Sequence, residues 1–202
     1  MFSVSQAGLI NNLNDGMAWG LFPLYFASRG FSLHQISLLS GLYPAVWGIA
    51  QLGTGELSDR MGRKNLISAG MILQGLAIFL LVFSTSFLVC ATAAALLGLG
   101  TAMVYPTLLA AIGDVAHPSW RASAVGVYRL ARYRLRCWRY CSLTVPPQKQ
   151  IRGVLVDRLG YQWVIGTVAA LTLASGVVPA AVMYETHGTA SALNLAGHKG
   201  AF

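Results

Sequence analysis

Long uncharged stretches alternate with short polar breaks along this chain. No Asp, Glu, Lys or Arg occurs from Gly30 to Gly55, from Asn65 to Gly113 or from Leu159 to Tyr184. A helix at the surface of a soluble protein needs a polar face, whereas a helix that crosses a bilayer needs about 20 mostly apolar residues. The pattern therefore predicts an all-α, multi-pass membrane helix bundle.

We expect five membrane spans with short breaks between most of them: one that contains Asp15, and four that lie in the uncharged stretches. These spans are Val4–Ser28, Leu33–Gly53, Leu66–Phe83, Phe87–Ile112 and Tyr161–Tyr184. The fourth span is rich in small residues that favour close helix packing in lipid, namely Ala93, Ala94, Ala95, Gly98 and Gly100. We expect residues 1–185 to form the bundle and residues 186–202 to form a flexible tail.

Positive charges in the breaks set the expected orientation. Arg60, Arg63 and Lys64 lie in one break, and Arg121 follows two spans later. Because cytoplasmic loops carry the excess of Lys and Arg, both belong inside the cell, and Ser84–Ser86 lies outside. The N-terminus is then cytoplasmic, and the chain is expected in the cell membrane, either a plasma membrane or a bacterial inner membrane.

The break after the second span reads Gly-Glu-Leu-Ser-Asp-Arg-Met-Gly-Arg-Lys over residues 55–64. Glycines at 55 and 62 permit tight turns. Asp59 is placed to pair with Arg63 or to meet the positive end of a helix, and the cations could bind carboxylates or lipid phosphate. A loop that only set topology would need the cations alone, so this arrangement indicates a further role.

This segment resembles the signature loop of the major facilitator superfamily of secondary transporters. Residues 113–129 and the Gly-Val-Leu-Val-Asp-Arg-Leu-Gly segment at 153–160 are also similar to segments of that family. The resemblance implies the C-terminal six-helix half of a twelve-helix carrier, with substrate held between the halves. It also implies that Asp59 and Arg63 are gate partners within a gating motif made of Gly55, Asp59, Arg60, Gly62, Arg63 and Lys64.

The resemblance implies transport of a small solute by alternating access, with H+ or Na+ as candidate coupling ions. The implied partners are membrane lipid and a complementary N-terminal six-helix half. The alternative is a non-transporting truncated membrane protein or pseudogene product, because half a carrier lacks the opposing wall of its site. An enzyme, a cofactor and a metal are not expected, since the sequence shows no nucleophile–base set, phosphate loop or metal cluster.

Polar side chains within the expected spans are candidates for the solute or ion pathway, because such groups are expensive in lipid. Asn11, Asn14 and Asp15 share one helix face, and Asp15 could couple transport to an ion or simply pair with a neighbouring helix. Tyr43, Trp47 and Gln51 recur every four residues and could line a solute path or pack against a helix. Gln74 and Tyr105 are weaker candidates.

The chain carries 14 Lys and Arg residues against 6 Asp and Glu, and its net charge is +8. The whole excess lies between Arg121 and Arg152, where acidic residues are absent. This stretch could bind anionic lipid or nucleic acid, and Cys137 and Cys141 could form part of a metal site. We interpret residues 131–152 instead as an aberrant, frameshifted segment, and no nucleic-acid partner is expected.

Overall fold

The computed structural model describes residues 2–115 and 147–182, and all the regular elements in these two ranges are helices. The predicted all-α architecture is confirmed. The six helices are α1 (Phe2–Gly20), α2 (Phe22–Ser28), α3 (Leu33–Met61), α4 (Arg63–Phe83), α5 (Phe87–Val115) and α6 (Pro147–Val182). The second family-like segment beyond residue 115, the basic stretch up to residue 146 and the tail at 186–202 lie outside the described residues.

The first expected span is divided into two helices, α1 and α2. The division falls at Leu21, and Pro23 lies in the first turn of α2. Proline lacks an N–H group, and its ring collides with the carbonyl four residues earlier. The predicted span Val4–Ser28 is therefore divided rather than continuous, because Pro23 favours a helix start over a helix interior.

Helix α3 begins where the sequence indicates but ends eight residues later than expected. Ser32 caps it, because its hydroxyl accepts from Gln35 N at 3.3 Å while Gln35 Oε1 accepts from Ser32 N at 3.0 Å. The helix continues past Gly53 to Met61 and stops at Gly62, which has a φ of 83° and a ψ of 147°. The expected turn at Gly55 is wrong, since Gly55 lies inside the helix.

Helix α4 packs against both α5 and α6, and α3 packs against α5. Glycines make these crossings close. A Cβ atom at Gly100 would lie 2.8 Å from Gly70 O, and one at Gly98 would lie 2.6 Å from Tyr43 O. On the other side of α4, a Cβ atom at Gly176 would lie 3.1 Å from Ile72 N. The close approach predicted from Gly98 and Gly100 is present.

Four segments within the described ranges are long and apolar enough to cross a membrane. They are Leu33–Ser58, Arg63–Phe83, Phe87–Gly113 and Gly160–Ala181. The α1–α2 region is not among them, because Pro23 divides it and the polar residues of α1 lower its hydropathy. Those polar residues instead face the interior of the bundle.

Two helix breaks share a sequence and a backbone conformation. Asp-Arg-Met-Gly ends α3, and Asp-Arg-Leu-Gly at 157–160 precedes the apolar part of α6. Gly160 has a φ of 77° and a ψ of 153°, close to the values at Gly62. Both glycines lie in a region of backbone space that is essentially restricted to glycine. Gly62 therefore separates α3 from α4, and Gly160 divides α6 into two helical parts, of which the second is the apolar one.

Candidate functional site

The polar face of α1 is buried inside the bundle. Asn11 and Asn14 are each 1% exposed, and Asp15 is 5% exposed. The apolar side chains of Leu9 and Leu13, by contrast, point outward from the same helix. Such an inverted arrangement is the one expected in lipid, where a polar group must find a partner within the protein.

A single glutamine on α4 bridges the two asparagines. Asn14 Nδ2 donates to Gln74 Oε1 at 2.8 Å, and Gln74 Nε2 donates to Asn11 Oδ1 at 2.9 Å. The Thr172 hydroxyl on α6 lies 3.0 Å from Asn14 Oδ1 and 2.7 Å from the Val168 carbonyl of its own helix. The amide groups of three residues and one hydroxyl thus join α1, α4 and α6.

Asp15 lies on the same polar face of α1, about 100° around the helix axis from Asn14, and it points toward α3. The Tyr43 hydroxyl donates a hydrogen bond to Asp15 Oδ1, and Tyr43 is itself 5% exposed. The same hydroxyl lies 3.4 Å from Thr101 Oγ1 on α5. These contacts link Asp15 to α3 and, through Tyr43, to α5.

Aromatic rings continue this cluster along the α1, α3 and α5 faces. Trp19 meets Tyr43 edge to face at 6.3 Å between ring centroids, and Trp47 meets Tyr105 in the same way at 6.2 Å. Edge-to-face pairs at this separation are favourable. Because Trp19 lies one turn beyond Asp15, and Trp47 one turn beyond Tyr43, the rings and the carboxylate form one stripe.

The surroundings of the aromatic stripe differ between its Trp19 end and its Trp47 end. Beside Tyr43 is a cavity of about 10 Å³, whose lining includes Trp19 and Ser40, and a cavity of this size holds about one water molecule. The buried Nε1 of Trp47 has no hydrogen-bond acceptor within the described part of the chain. Gln51 lies one turn further on and is half-buried. Among the described residues its side chain makes no hydrogen bond.

The family-like motif lies at the junction of α3 and α4. Gly55 is exposed within α3, while Gly62 forms the turn. Arg60 pairs with Glu56 at 2.6 Å, and both side chains are about three-quarters exposed, at 74% and 73%. Arg63 and Lys64 are half-buried in the first turn of α4, and the pairing of Arg63 with Asp59 stays a prediction. Asp59 follows Tyr43 by 16 residues, or about 24 Å along a helix.

Sequence reasoning placed Gln74 among the weaker candidates and missed Thr101 and Thr172. An isolated threonine in an apolar helix usually donates to its own backbone, as Thr101 does to Leu97 O at 2.9 Å. No signal along the sequence distinguishes such a residue from one that also serves a neighbouring helix. Across residues 2–115 and 147–182, the structure holds no group of three or more metal-binding side chains.

Fold and site together define a polytopic helical membrane protein with a buried cluster of polar side chains. The chain belongs to the Major Facilitator Superfamily, whose family model matches residues 5–201. Over 158 residues it is 23% identical to the inner membrane transport protein YnfM of Escherichia coli (strain K12). The aligned segment covers 78% of this chain and 36% of that protein. The name of this relative refers to membrane transport.

Two further relatives and one solved structure are also similar to this chain. The chain is 25% identical to the bacillibactin exporter of Bacillus subtilis (strain 168), over 57% of this chain and 30% of that protein. It is 25% identical to the quinolone resistance protein NorA of Staphylococcus aureus, over 56% of this chain and 29% of that protein. The fold matches the crystal structure of peptide transporter POT in complex with sulfate, with a TM-score of 0.72 and 17% identity, over 93% of this chain and 38% of that one.

The matched segments cover from 29% to 38% of the length of these four proteins, so the chain spans only about a third of the relatives it matches.

Proposed function

We propose that this chain forms one half of a secondary carrier that moves a small solute by alternating access, with Asp15 as its ion-coupling group. The observation that carries the proposal is the buried contact between Asp15 and the Tyr43 hydroxyl, at the meeting point of α1, α3 and α5. Membership of the Major Facilitator Superfamily supports carrier function.

The chemistry of Asp15 suits a coupling role. An ionisable side chain inside a membrane protein is costly and is usually retained for a function. Proton uptake changes Asp15 from a charged acceptor of the Tyr43 hydrogen bond to a neutral carboxyl group. Sodium binding would instead use the oxygen atoms of Asp15, Tyr43 and Thr101, so H+ and Na+ are both candidate coupling ions.

The aromatic stripe is the proposed contact surface for the solute. Trp47 offers a buried N–H donor, and Trp19 offers a ring that is 45% exposed. A site with apolar rings and a few polar groups suits a small organic molecule. Two relatives bear names that refer to quinolone resistance and bacillibactin export, which makes a quinolone a reasonable first probe.

The remaining parts of the carrier would act at its cytoplasmic end and at the missing wall. The motif residues Asp59, Gly62, Arg63 and Lys64 would lock and release the gate, and Arg60 would lie at its exposed edge. A complementary N-terminal six-helix half would complete the site, within a plasma or inner membrane and with the N-terminus of this chain in the cytoplasm.

Reconstitution into liposomes tests this proposal. The chain is inserted alone or together with a complementary N-terminal six-helix half, and fluorescent quinolone accumulation is followed under an imposed H+ or Na+ gradient. We expect Asp15→Asn to reduce accumulation to the level of protein-free liposomes. Ser37→Ala removes an exposed hydroxyl of α3 that bonds the backbone of its own helix at Leu33, and it should leave accumulation unchanged.

The outcomes separate the candidate functions. If the pH and Na+ dependence of accumulation is the same in Asp15→Asn as in the unsubstituted protein, Asp15 does not couple transport. If neither the chain alone nor the pair of halves moves solute under either gradient, the non-transporting alternative is favoured.

A further inference from the structure

We propose that Gln74 is a positioning residue for Asp15, which rests on the coupling role proposed above. In this view the Gln74 amide fixes the rotation of α1 about its own axis and thereby holds Asp15 against Tyr43. Gln74 is fully buried, at 0% exposure, and lies on a different helix from either residue of the pair it positions.

The contacts of Gln74 constrain rotation because they are made at two points on α1. Its amide accepts from Asn14 at 2.8 Å and donates to Asn11 at 2.9 Å, so both ends of one planar group are used. The two asparagines are three residues apart and lie on the same side of the helix, one turn above the other. Rotation of α1 about its axis in either direction would break at least one of these hydrogen bonds.

The position of Asp15 follows from that constraint. Successive residues in a helix are separated by about 100° around its axis. When Asn14 faces α4 and α6, the next residue must point to one side, and that side is occupied by Tyr43 of α3. Gln74 therefore acts on Asp15 through the backbone of α1 and does not contact it.

Other features of α1 constrain its rotation less strongly. In lipid, apolar surface gains little from facing the protein rather than the acyl chains, so Leu9 and Leu13 tolerate several settings. Helix α1 packs more extensively against α6 and α5 than against α3 or α4, but apolar packing is less directional than hydrogen bonds. In the described part of the chain, the polar side of α1 meets Tyr43 on α3, Thr101 on α5, Gln74 on α4 and Thr172 on α6. The last three do not titrate, so the amide bridge persists when Asp15 gains or loses a proton.

Carbodiimide labelling of Asp15 tests the inference without requiring a transported solute. Dicyclohexylcarbodiimide reacts with protonated carboxyl groups in apolar surroundings, and mass spectrometry locates the product. The full chain is labelled in membrane vesicles across a range of pH, and the pH profile is read on the peptide that contains Asp15. Asp15→Asn provides the unlabelled reference.

We expect Gln74→Leu to give the pH profile of Tyr43→Phe, because both changes cost Asp15 its phenol partner. Ser68→Ala is the matched control, since it removes a buried hydrogen bond from α4 to Gly176 O on α6 without touching α1. It should keep the profile of the unsubstituted chain. Gln74→Asn retains an amide that is one methylene too short to meet both asparagines, and it serves as a milder variant that should shift the profile in the same direction as Gln74→Leu.

Two results would overturn the inference. One is an unaltered profile in Gln74→Leu or Gln74→Asn, and the other is a Tyr43→Phe profile that matches the unsubstituted chain. Transport-competent Asp15→Asn would overturn the proposed function alone, because labelling does not depend on transport. The two failures are therefore distinguishable.

Discussion

Gly98 shows how one missing side chain positions the candidate site. A Cβ atom at this residue would lie 2.6 Å from Tyr43 O and 3.2 Å from Trp47 N, both in the backbone of α3. Backbone cannot move aside as the end of a flexible side chain can. The contact between α5 and α3 thus depends on the hydrogen atom of Gly98, and so does the placement of the Tyr43 and Trp47 side chains.

Replacing Gly98 with alanine should destabilise the protein by about 1–3 kcal/mol, the usual cost of overpacking. Gly48 is the matched control, because it also lies within a helix and a Cβ atom there would meet nothing within 4 Å. Gly48→Ala should be neutral or stabilising by up to about 1 kcal/mol, since alanine is the better helix former. Unfolding in detergent by SDS titration measures both. Equal stability of the two variants would show that α3 and α5 are not in close contact.

Single residues also mark the limit of sequence reasoning about the site. The spacing of Asn11, Asn14 and Asp15 predicts a shared face, because helical periodicity is fixed by backbone geometry. The same spacing contains no information about which helix lies opposite. Gln74 follows Asn14 by 60 residues, and its role emerges only when α1 and α4 are packed together.

At the scale of elements, the Asp-Arg-x-Gly segments divide one continuous chain into separate spans. Glu56 and Arg60 support the last turns of α3 as a pair at i and i+4, so the helix extends beyond the apolar stretch. Hydrophobicity predicts where a span leaves the apolar layer but not where its helix ends. The end is set by Gly62, whose positive φ stops the helix and turns the chain into α4.

The two glycines of the motif should therefore respond differently to substitution. Gly62→Ala forces a side chain into a backbone conformation with a φ of 83° and should cost about 1–3 kcal/mol. Gly55→Ala lies within α3 and meets nothing within 4 Å, so it should be neutral or mildly stabilising. Thermal unfolding in detergent, followed by helical circular dichroism, compares them. A larger loss in Gly55→Ala would contradict the assignment of the turn.

The element pattern was predictable where one physical rule dominates. The starts of α3 and α5 follow from capping or loop residues next to apolar stretches, and Ser32 with Gln35 is a capping box. The division between α1 and α2 depends on a competition between apolar continuity and the cost of Pro23 inside a helix. Apolar continuity alone predicts one span, and Pro23 divides that span into two helices.

For the whole molecule, burial is unevenly shared among the membrane-crossing helices. In the most apolar 18-residue segment of each helix, 61% of α4 is buried, compared with 11% of α3. Ile49 and Leu52 on α3 are 72% and 88% exposed. Because α3 also carries Tyr43 and Trp47, one side of this helix meets the polar cluster, and its apolar side is available to lipid or to the complementary half proposed above.

The distribution of charge between the two ends of these helices predicts how the molecule is inserted. The α3–α4 junction carries Arg60, Arg63 and Lys64, and the α4–α5 junction at residues 84–86 carries no charge. Excess Lys and Arg remain on the cytoplasmic side. The α3–α4 junction should therefore face the cytoplasm and the α4–α5 junction the exterior.

Cysteine labelling in intact cells measures this orientation. Met61 is 49% exposed at the α3–α4 junction, and Thr85 is exposed at the α4–α5 junction, so both accept a cysteine in a chain whose three native cysteines are replaced by serine. A membrane-impermeant maleimide should label Thr85→Cys in intact cells, and it should label Met61→Cys only after permeabilisation. Inside-out vesicles should show the reverse order. If Met61→Cys is labelled first in intact cells, the positive charges at the α3–α4 junction do not set the topology, and the N-terminus faces the exterior.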